Sequence, residues 1–223
     1  MDAKTVCFIT CVNDEKMYQE CLLYLRHLKL PKGMLGECIA IRGATSMTEG
    51  YNCAMQQSDA KYKIYIHQDF LLQNKNAVKT LLDFFKMDAS IGMIGLAGCE
   101  KLPQSFCWGE AVQKYGSIAH ALETECTTIS VYGAAPGGYA EVEAIDGILM
   151  ATQYDLPWRQ DLLRGWHFYD ISESLEFKRQ GYKVVVPDQP EPWGIHLCGI
   201  KELGEDYGHW QRICQQEYKA AGP

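Results

Sequence analysis

The sequence predicts a Rossmann-like α/β fold: a mainly parallel sheet with helices on both faces and an irregular insertion over the face where ligands bind. Strand-like and helix-like patterns alternate as β-α-β-α-β-α-β between Val6 and Gly98. The chain has 223 residues, 47% of them hydrophobic and 22% charged, which suits one globular domain. The pattern is irregular from Cys99 to Glu143, and then strand and helix patterns return.

The first strand and helix are predicted from a short apolar run and the residues that follow it. VCFITCV is typical of a strand, and the polar NDEK segment ends it. Asn13 or Asp14 can cap the next helix, because both side chains can accept a hydrogen bond from a first-turn N–H group. Met17, Cys21 and Leu25 then recur at helical spacing.

The next three strands are predicted in CIAIRG, KYKIYI and IGMIGLAG. Between them, Thr48 can cap a helix that has Tyr51 and Met55 on one face, and NKNAVKTLLDFFKMD is typical of an amphipathic helix. No glycine-rich dinucleotide fingerprint follows the first strand, and no P-loop sequence occurs. The common phosphate-binding loops are therefore absent from the sequence.

The irregular segment is expected to cross over the ligand-binding face, to include a β-hairpin and to have GAAPGG as its clearest turn. After it, VEAIDGILMAT and YKVVVP predict strands, and DISESLEFKRQG predicts a helix with Gly181 at its C-terminal end. GHWQRICQQEYKAA predicts a terminal helix.

Composition limits the partners and the compartment. A formal net charge of -7 argues against nonspecific binding to nucleic acid or to anionic membranes, so a phosphate ligand would need local cations or a metal ion. Ten cysteines without a CxxC pair favour neither a disulfide scaffold nor a zinc site, and they suit a reducing cytosol. With no apolar signal core or membrane-length apolar run, we expect a cytoplasmic protein and leave peripheral membrane attachment open.

The KYKIYI strand ends in the polar triplet His67, Gln68 and Asp69. Strand alternation places His67 and Asp69 on one face, at the carboxyl end where parallel sheets bind ligands. An imidazole and a carboxylate form a partial ligand set for Mg²⁺ or Mn²⁺, and the imidazole favours Mn²⁺. From these residues alone, a helix-capping Asp69 and a hydrogen-bonded core His67 are an equally good interpretation.

Three ordered segments resemble the family-two-like glycosyltransferases of the GT-A fold. They are FITCVNDEKMYQECLLYL, IRGATSMTEGYNCAMQQSDAKYKIYIHQDF and WHFYDISESLEFKRQGYKVVVP. The HQD, DGILMATQYD and YDIS segments are similar to a bacterial glycosyltransferase-like subgroup. The resemblance implies one GT-A-like domain over 1–223, with a nucleotide-binding half (1–98) and an acceptor and catalytic half (99–223).

The resemblance also implies roles for residues at the first three strand ends. Asp69 would bind a divalent ion that bridges the two phosphates of a nucleotide-sugar, and His67 replaces the first aspartate of the family's DXD-type motif. Asn13 and Asp14 match positions near the nucleoside. Asn52 lies on the helix that faces the sugar nucleotide.

Further roles are implied in the second half of the chain. Asp170 matches the aspartate that acts as general base, although Tyr169 stands where a glutamate is usual. His196 is placed like the histidine that such folds contribute to the metal. As a residue at the start of a helix, Asp170 also fits an N-terminal cap, which is the structural alternative.

Two positions keep both a binding and a structural interpretation. Arg42 stands where the family has an acidic residue that reads the base, so it can hold a phosphate, stack on the base or remain an exposed strand-end arginine. A buried aspartate at position 146 needs a partner, and Asp146 can orient Gly147, whose backbone could approach the donor sugar; support of the core is the alternative.

An aromatic and basic cluster precedes Asp170 and consists of Trp158, Arg159, Trp166, His167 and Tyr169. Aromatic faces suit the C–H surfaces of sugars, so the cluster can form a platform for the acceptor. Packing of a lid against the core would use the same residues.

The implied function is Mn²⁺- or Mg²⁺-dependent, inverting transfer of a sugar from a nucleotide-sugar, expected to be a UDP-sugar, to a glycan, lipid-linked or small-molecule hydroxyl acceptor. One alternative is a nucleotide-binding module of this fold without transfer activity. Another is a metal-dependent hydrolase built on His67, Asp69 and His196. We expect no nucleic-acid partner and no integral membrane segment, and we leave a homodimer open.

Overall fold

The structure is a computed structural model and describes residues 1–121, 127–135, 137–197 and 204–219. The helices are α1 (Glu15–Arg26), α2 (Met47–Gln57), α3 (Ala77–Met87), α4 (Tyr169–Arg179) and α5 (Tyr207–Lys219). The strands are β1 (Asp2–Val12), β2 (Leu35–Arg42), β3 (Ala60–Ile66), β4 (Phe70–Leu72), β5 (Ile91–Gly95), β6 (Ala97–Cys99), β7 (Lys114–Ala121), β8 (Thr127–Val131), β9 (Tyr139–Val142), β10 (Ala144–Ile145), β11 (Leu149–Thr152), β12 (Lys183–Pro187) and β13 (Gly194–His196).

The central sheet has seven strands in the order β2-β1-β3-β11-β5-β12-β9. β1 runs parallel to β2 and β3, and β5 runs parallel to β12. β11 inserts antiparallel between β3 and β5, and β9 adds an antiparallel edge. The predicted α/β class is confirmed, with a sheet that is more mixed than the sequence indicates.

Helices cover both faces of this sheet, as predicted. Alternate residues of β1 belong to two different hydrophobic clusters, with Val6 and Phe8 on one side and Cys7 and Ile9 on the other. Apolar residues of α1 and α3 pack on the first side, and those of α2 and α4 on the second. Because both faces are buried around them, β5 and residues 184–186 of β12 are apolar without polar alternation.

A second sheet, which the sequence does not predict, has the order β10-β6-β7-β13-β4, with β8 paired to β7. The antiparallel β7–β8 pair is the hairpin expected in the irregular segment. VEAIDGILMAT is not one strand, since it breaks at Asp146 and supplies β10 to the second sheet and β11 to the first. This break lies beside the candidate site described below.

Helix ends agree with the predicted caps at α1 and differ at α2. The Asp14 carboxylate accepts a hydrogen bond from the Met17 N–H at 3.0 Å. At α2 the cap is Ser46, whose hydroxyl accepts from the Glu49 N–H, so the Thr48 cap prediction is wrong. The Thr48 hydroxyl instead donates to the carbonyl of Leu163 at 2.5 Å.

The remaining predictions about the fold concern a helix end, the cysteines and two segments that lie partly outside the described ranges. Gly181 follows α4 with a positive φ of 81°, a conformation that glycine adopts without strain. The eight cysteines in the described ranges are free thiols. Pro136 of the GAAPGG turn, and residues 220 and 221 of the predicted terminal helix, lie outside the described residues. Among the helices described, none is both long enough and apolar enough to span a membrane.

Candidate functional site

A cavity of about 470 Å³ opens where the parallel strands β1, β2 and β3 end together. We call it the large cavity. Its lining residues are Cys11, Val12, Asn13, Glu15, Ile41, Arg42, Gly43, Ala44, Met47, Tyr51, Ile66, His67, Gln68 and Trp166. Three of the residues predicted to contact the nucleotide, Asn13, Arg42 and His67, are among them. The location is the one expected of ligand sites in open α/β sheets.

The HQD triplet forms a turn between β3 and β4 rather than the end of a strand. The Phe70 N–H donates to the carbonyl of His67 at 3.2 Å, which closes the turn. The prediction that strand alternation puts His67 and Asp69 on one face is therefore wrong in its geometry. The turn nevertheless leaves their side chains close, with His67 Nδ1 3.8 Å from Asp69 Oδ1.

Gln68, the middle residue of that turn, binds the segment between β1 and α1. Its side-chain oxygen accepts hydrogen bonds from the backbone N–H groups of Asn13 and Asp14, each at 3.0 Å. Its amide nitrogen donates to the side-chain oxygen of Asn13. Gln68 thus joins the HQD turn to the wall of the large cavity.

His196 completes a group of three possible metal ligands. β13 pairs antiparallel with β4 so that His196 lies opposite Phe70, one residue from Asp69. His196 Nε2 is 3.3 Å from Asp69 Oδ1, and the ligand atoms of His67, Asp69 and His196 lie within 4.8 Å of one another. Two imidazole nitrogens and a carboxylate oxygen suit a transition ion such as Mn²⁺ better than Mg²⁺, so these residues fit the metal that the sequence predicts.

The electrostatics of this group favour metal binding near neutral pH. Burial would raise the pKa of Asp69, but the hydrogen bond from His196 and the charges of the two histidines lower it to about 2. Burial lowers the pKa of His67, and the nearby Asp69 carboxylate offsets only part of that effect. At pH 7 the site therefore presents a charged carboxylate and a neutral imidazole, the forms that bind metals.

A small cavity of about 230 Å³ lies on the other side of His67. Its lining includes His67, Trp108, Asp146, Gly147, Trp166, His167, Tyr169, Asp170, His196 and Tyr207. The two cavities share His67 and Trp166, so the candidate ligand His67 lies where the cavities meet, while His196 lines the small cavity and Asp69 lines neither.

Asp170 lies in the small cavity with an altered acidity. Burial and the negative charge of Asp146 raise its pKa to about 7, although N–H groups of Ile171 and Gly147 hydrogen-bond to its carboxylate. Asp146 itself accepts hydrogen bonds from the Trp108 indole at 3.1 Å and from the Ile148 N–H at 2.9 Å. These two groups are hydrogen-bond partners of the kind that Asp146 was expected to need.

Two predicted nucleotide contacts are used elsewhere in the fold. The Asn52 amide group both donates to the carbonyl of Trp158 and accepts from its N–H, each at 2.9 Å, so Asn52 secures a loop and does not line either cavity. The Asp14 carboxylate caps α1. Gly147 lines the small cavity.

The aromatic and basic cluster divides into two groups. Trp158 is buried in the core, and Arg159 forms ion pairs with Asp161, Glu176 and Glu217, so both are structural. Trp166 and His167 line the small cavity, and Trp166 is 43% exposed. An acceptor platform therefore has Trp166 and His167 available, and the lid-packing interpretation fits Trp158 and Arg159.

Several residues at the site carry no signal in the sequence alone. The ring centroid of His120 lies 5.9 Å from that of His196, opposite it in the β7–β13 pair. Phe106 and Phe168 line the small cavity with positive φ values of 60° and 64°. Such strain in residues other than glycine is typical of functional sites, and only the structure shows it.

Comparison with solved structures confirms the fold. The mannosyltransferase PcManGT from Pyrobaculum calidifontis, in complex with GDP-Man and Mn²⁺, is similar with a TM-score of 0.59 and 12% identity over 99% of this chain and 64% of that one. TarS 1–349 from S. aureus, in complex with UDP, is similar with a TM-score of 0.53 and 11% identity over 94% of this chain and 69% of that one. The chain thus spans slightly less than two thirds of the PcManGT chain.

Sequence comparison identifies the family. No curated protein has significant sequence similarity to the chain. The profile of a family described as "Glycosyltransferase like family" matches residues 7–218, which is nearly the whole chain. The predicted enzyme class, a glycosyltransferase, is therefore the class of the matched family. From Cys7 to Tyr218, the chain belongs to the glycosyltransferase-like family.

Proposed function

We propose that this chain is a metal-dependent, inverting glycosyltransferase that moves a sugar from a UDP-sugar to a hydroxyl acceptor. The observation that carries the proposal is the convergence of Asp69 and His196 on His67, which lines both cavities. The large cavity would hold the nucleoside and the small cavity the reacting sugar and acceptor. A diphosphate between them would lie against the metal ligands.

The net charge of the protein makes a bound cation useful at that junction. Of the residues that line the large cavity, Arg42 is the one with a permanent positive charge, and Glu15 already forms an ion pair with it. When bound, Mn²⁺ would neutralise the negative charge that develops on the leaving diphosphate. His67, Asp69 and His196 would hold it there.

Asp170 is suited to activate the acceptor. In the transfer, the acceptor oxygen forms a bond to the anomeric carbon while the bond from that carbon to the diphosphate oxygen breaks, and the electron pair leaves with the diphosphate. The hydroxyl proton passes to the Asp170 carboxylate. A pKa of about 7 makes this carboxylate a stronger base than an ordinary aspartate and still leaves much of it ionised at neutral pH.

The N–H groups around Asp170 would keep its carboxylate in place. Ile171 and Gly147 both donate hydrogen bonds to it, and both lie on elements that line the small cavity. Inversion requires the base and the leaving group to be on opposite sides of the sugar, which fits a base in the small cavity and a diphosphate at the metal ligands.

The sequence resemblance supports UDP, and TarS, with a similar fold, is known in complex with UDP. PcManGT, also similar in fold, is known in complex with GDP-Man, so a GDP-sugar is the competing donor. Uracil and guanine both carry a ring N–H group that can donate to a carboxylate, and Glu15 is the carboxylate among the residues that line the large cavity. The donor panel in the test below includes both nucleotides.

Nucleotide binding tests the proposal directly. Differential scanning fluorimetry and calorimetry with UDP, GDP, ADP and CDP, each with and without Mn²⁺, should give the largest shift for UDP with Mn²⁺. Asp69→Ala should abolish the Mn²⁺-dependent part of the shift. Asp83→Ala is the matched control, because Asp83 is an exposed aspartate of α3 paired only with Lys79.

Turnover distinguishes the alternatives. Release of UDP from a panel of UDP-sugars in the presence of acceptor supports transfer. Tight UDP binding without release supports the nucleotide-binding module without transfer activity. Hydrolysis of a phosphate or ester substrate that UDP does not inhibit supports a hydrolase, and absence of nucleotide binding in the wild-type protein contradicts the proposal.

A further inference from the structure

We propose that Tyr169 is a positioning residue for the metal site: its hydroxyl holds the His67 ring so that Nδ1 points to the ion shared with Asp69 and His196. This inference rests on the metal-dependent function proposed above. The role is not carried over from the family resemblance, in which a glutamate is usual at this position.

The contact between the two side chains is direct. Tyr169 Oη lies 2.5 Å from His67 Nε2, while His67 Nδ1 faces Asp69 Oδ1 at 3.8 Å. The two ring nitrogens therefore have separate partners, with the hydroxyl on one side and the metal ligands on the other. Which nitrogen of a histidine binds a metal is set by the hydrogen bond that the other nitrogen makes.

The protonation states are consistent with this arrangement. A metal ligand must offer an unprotonated nitrogen, so a neutral His67 that binds through Nδ1 carries its proton on Nε2. That Nε2–H group then donates to the hydroxyl oxygen of Tyr169. The phenol is suited to this role because its oxygen accepts a hydrogen bond without adding a charge to the site.

The position of the hydroxyl is fixed by the core. Tyr169 is the first residue of α4 and is only 5% exposed. Its ring packs edge-on against Tyr51 with the centroids 5.9 Å apart, and it lies tilted to the Trp158 ring with the centroids 6.3 Å apart. Trp158 is in turn held by Asn52, so Asn52 acts on the site through the core rather than by contact with the donor.

Gly147 provides the space that the hydroxyl needs. A Cβ atom at position 147 would collide with Tyr169 Oη and would lie 2.7 Å from Cζ. The same glycine donates its N–H to Asp170. The start of α4 therefore connects the metal ligand His67, through Tyr169, to the base Asp170.

The test is Mn²⁺ binding without nucleotide, measured from the electron paramagnetic resonance signal of free Mn²⁺. Tyr169→Phe removes only the hydroxyl and should weaken Mn²⁺ binding about ten- to hundredfold. In a His67→Ala background, Tyr169→Phe should cause no further loss. Tyr62→Phe is the control, since Tyr62 is a buried tyrosine of β3 that stacks on Phe85 away from the site.

A substitution at Gly147 tests the same contact between Tyr169 and His67 by displacing the Tyr169 ring. Gly147→Ala should displace the Tyr169 ring and weaken Mn²⁺ binding, whereas Gly109→Ala should not, because its added Cβ would meet nothing closer than the Cys107 sulfur at 3.9 Å. Gly147→Ala retains the N–H group that binds Asp170, so its effect on the metal reports on Tyr169.

A measurement on the wild-type protein avoids any effect of substitution on folding. With Zn²⁺ as a diamagnetic probe, ¹⁵N chemical shifts of histidine side chains should show His67 bound through Nδ1 and protonated at Nε2. Binding through Nε2, equal Mn²⁺ affinity of Tyr169→Phe and wild type, or an equal loss in the His67→Ala background would each overturn the inference. UDP binding that stays Mn²⁺-dependent in those cases would leave the proposed function intact.

Discussion

The large and the small cavity share His67 and Trp166, but their charged groups differ in how far they are exposed to solvent. The charges of the large cavity lie at its rim, where the Arg42 and Glu15 side chains are 54% and 52% exposed and pair with each other at 2.8 Å. Those of the small cavity are partly buried, and the pKa of Asp170 is shifted as a result.

We expect this difference to divide the roles of the cavities, with nucleotide binding in the large one and proton transfer in the small one. An exposed ion pair is screened by water and contributes little energy, so the large cavity depends mainly on its shape and apolar walls. A carboxylate in a desolvated cavity has an altered proton affinity, which is what an acid or base catalyst requires. Substitutions in the small cavity should therefore have larger effects than those at the rim of the large one.

Asp170→Asn should have the largest effect. The amide cannot accept the acceptor proton, so kcat should fall about 10²- to 10⁴-fold while UDP affinity changes little. In the wild-type protein, kcat should decline as the pH falls through about 7, because the base becomes protonated. Initial rates of UDP release between pH 5.5 and 9 measure both effects, and unchanged turnover in the variant would show that the base is another group.

The same substitution should increase stability. The pKa of Asp170 rises from 3.8 in the unfolded chain to about 7 in the fold, so between these values the folded protein holds a proton that the unfolded chain lacks. Stability should therefore fall as the pH rises from about 4 to 7, and metal-free Asp170→Asn should regain up to about 4 kcal/mol at pH 8. Urea unfolding at pH 5 and 8 tests this, and a loss of stability at pH 8 would indicate a structural cap.

Gln68 holds the wall of the large cavity to the HQD turn, and its removal should have an intermediate effect. Gln68→Ala leaves the exposed N–H groups of Asn13 and Asp14 to water, so the unfolding free energy should fall by about 1–2 kcal/mol. UDP affinity should fall several-fold because the wall that contains Asn13 is no longer held. Gln57→Ala, which removes only bonds to Cys53 within α2, is the control for urea unfolding and calorimetry.

The sequence predicts the local elements of the fold better than their assembly. The Asp14 cap and the amphipathic faces of α1 and α3 depend on neighbouring residues, and the structure confirms them. Strands of two or three residues, such as β10 and β13, are too short to show a period, so the second sheet has no sequence signature. The antiparallel insertion of β11 likewise depends on contacts distant in sequence.

For the site, too, the sequence predicts some features and not others. Asp69 and His196 were expected near one ion from the family resemblance, and their side chains do converge. The alternation argument for His67 fails because three consecutive polar residues form a turn, which folds back and still brings the two side chains together. The hydrogen bonds of Asn52 to Trp158 have no sequence signal because the two residues are 106 positions apart.

Arg42→Ala should have the smallest effect of these substitutions. A large effect would contradict the expectation that the exposed charges of the large cavity contribute little energy. The Arg42 guanidinium donates two hydrogen bonds to Glu15, at 2.9 and 3.0 Å, from an exposed position. Exposed pairs contribute about 0.2–1 kcal/mol, so the unfolding free energy should change by less than about 1 kcal/mol. UDP affinity should fall by less than tenfold, because the guanidinium is already occupied by the carboxylate.

Glu15→Gln separates the two roles that Arg42 can have. If Arg42 serves only to pair with Glu15, the double variant should be no worse than either single variant in urea unfolding and in UDP calorimetry. In the other case, the Arg42 guanidinium breaks its ion pair with Glu15 and binds the diphosphate. Glu15→Gln should then tighten UDP binding, and Arg42→Ala should weaken it more than tenfold. Glu20→Gln, an exposed substitution on the same helix, controls for the loss of one negative charge. The second outcome would show that a charge at the rim of the large cavity takes part in UDP binding. Binding in that cavity would then not depend mainly on the shape of its walls.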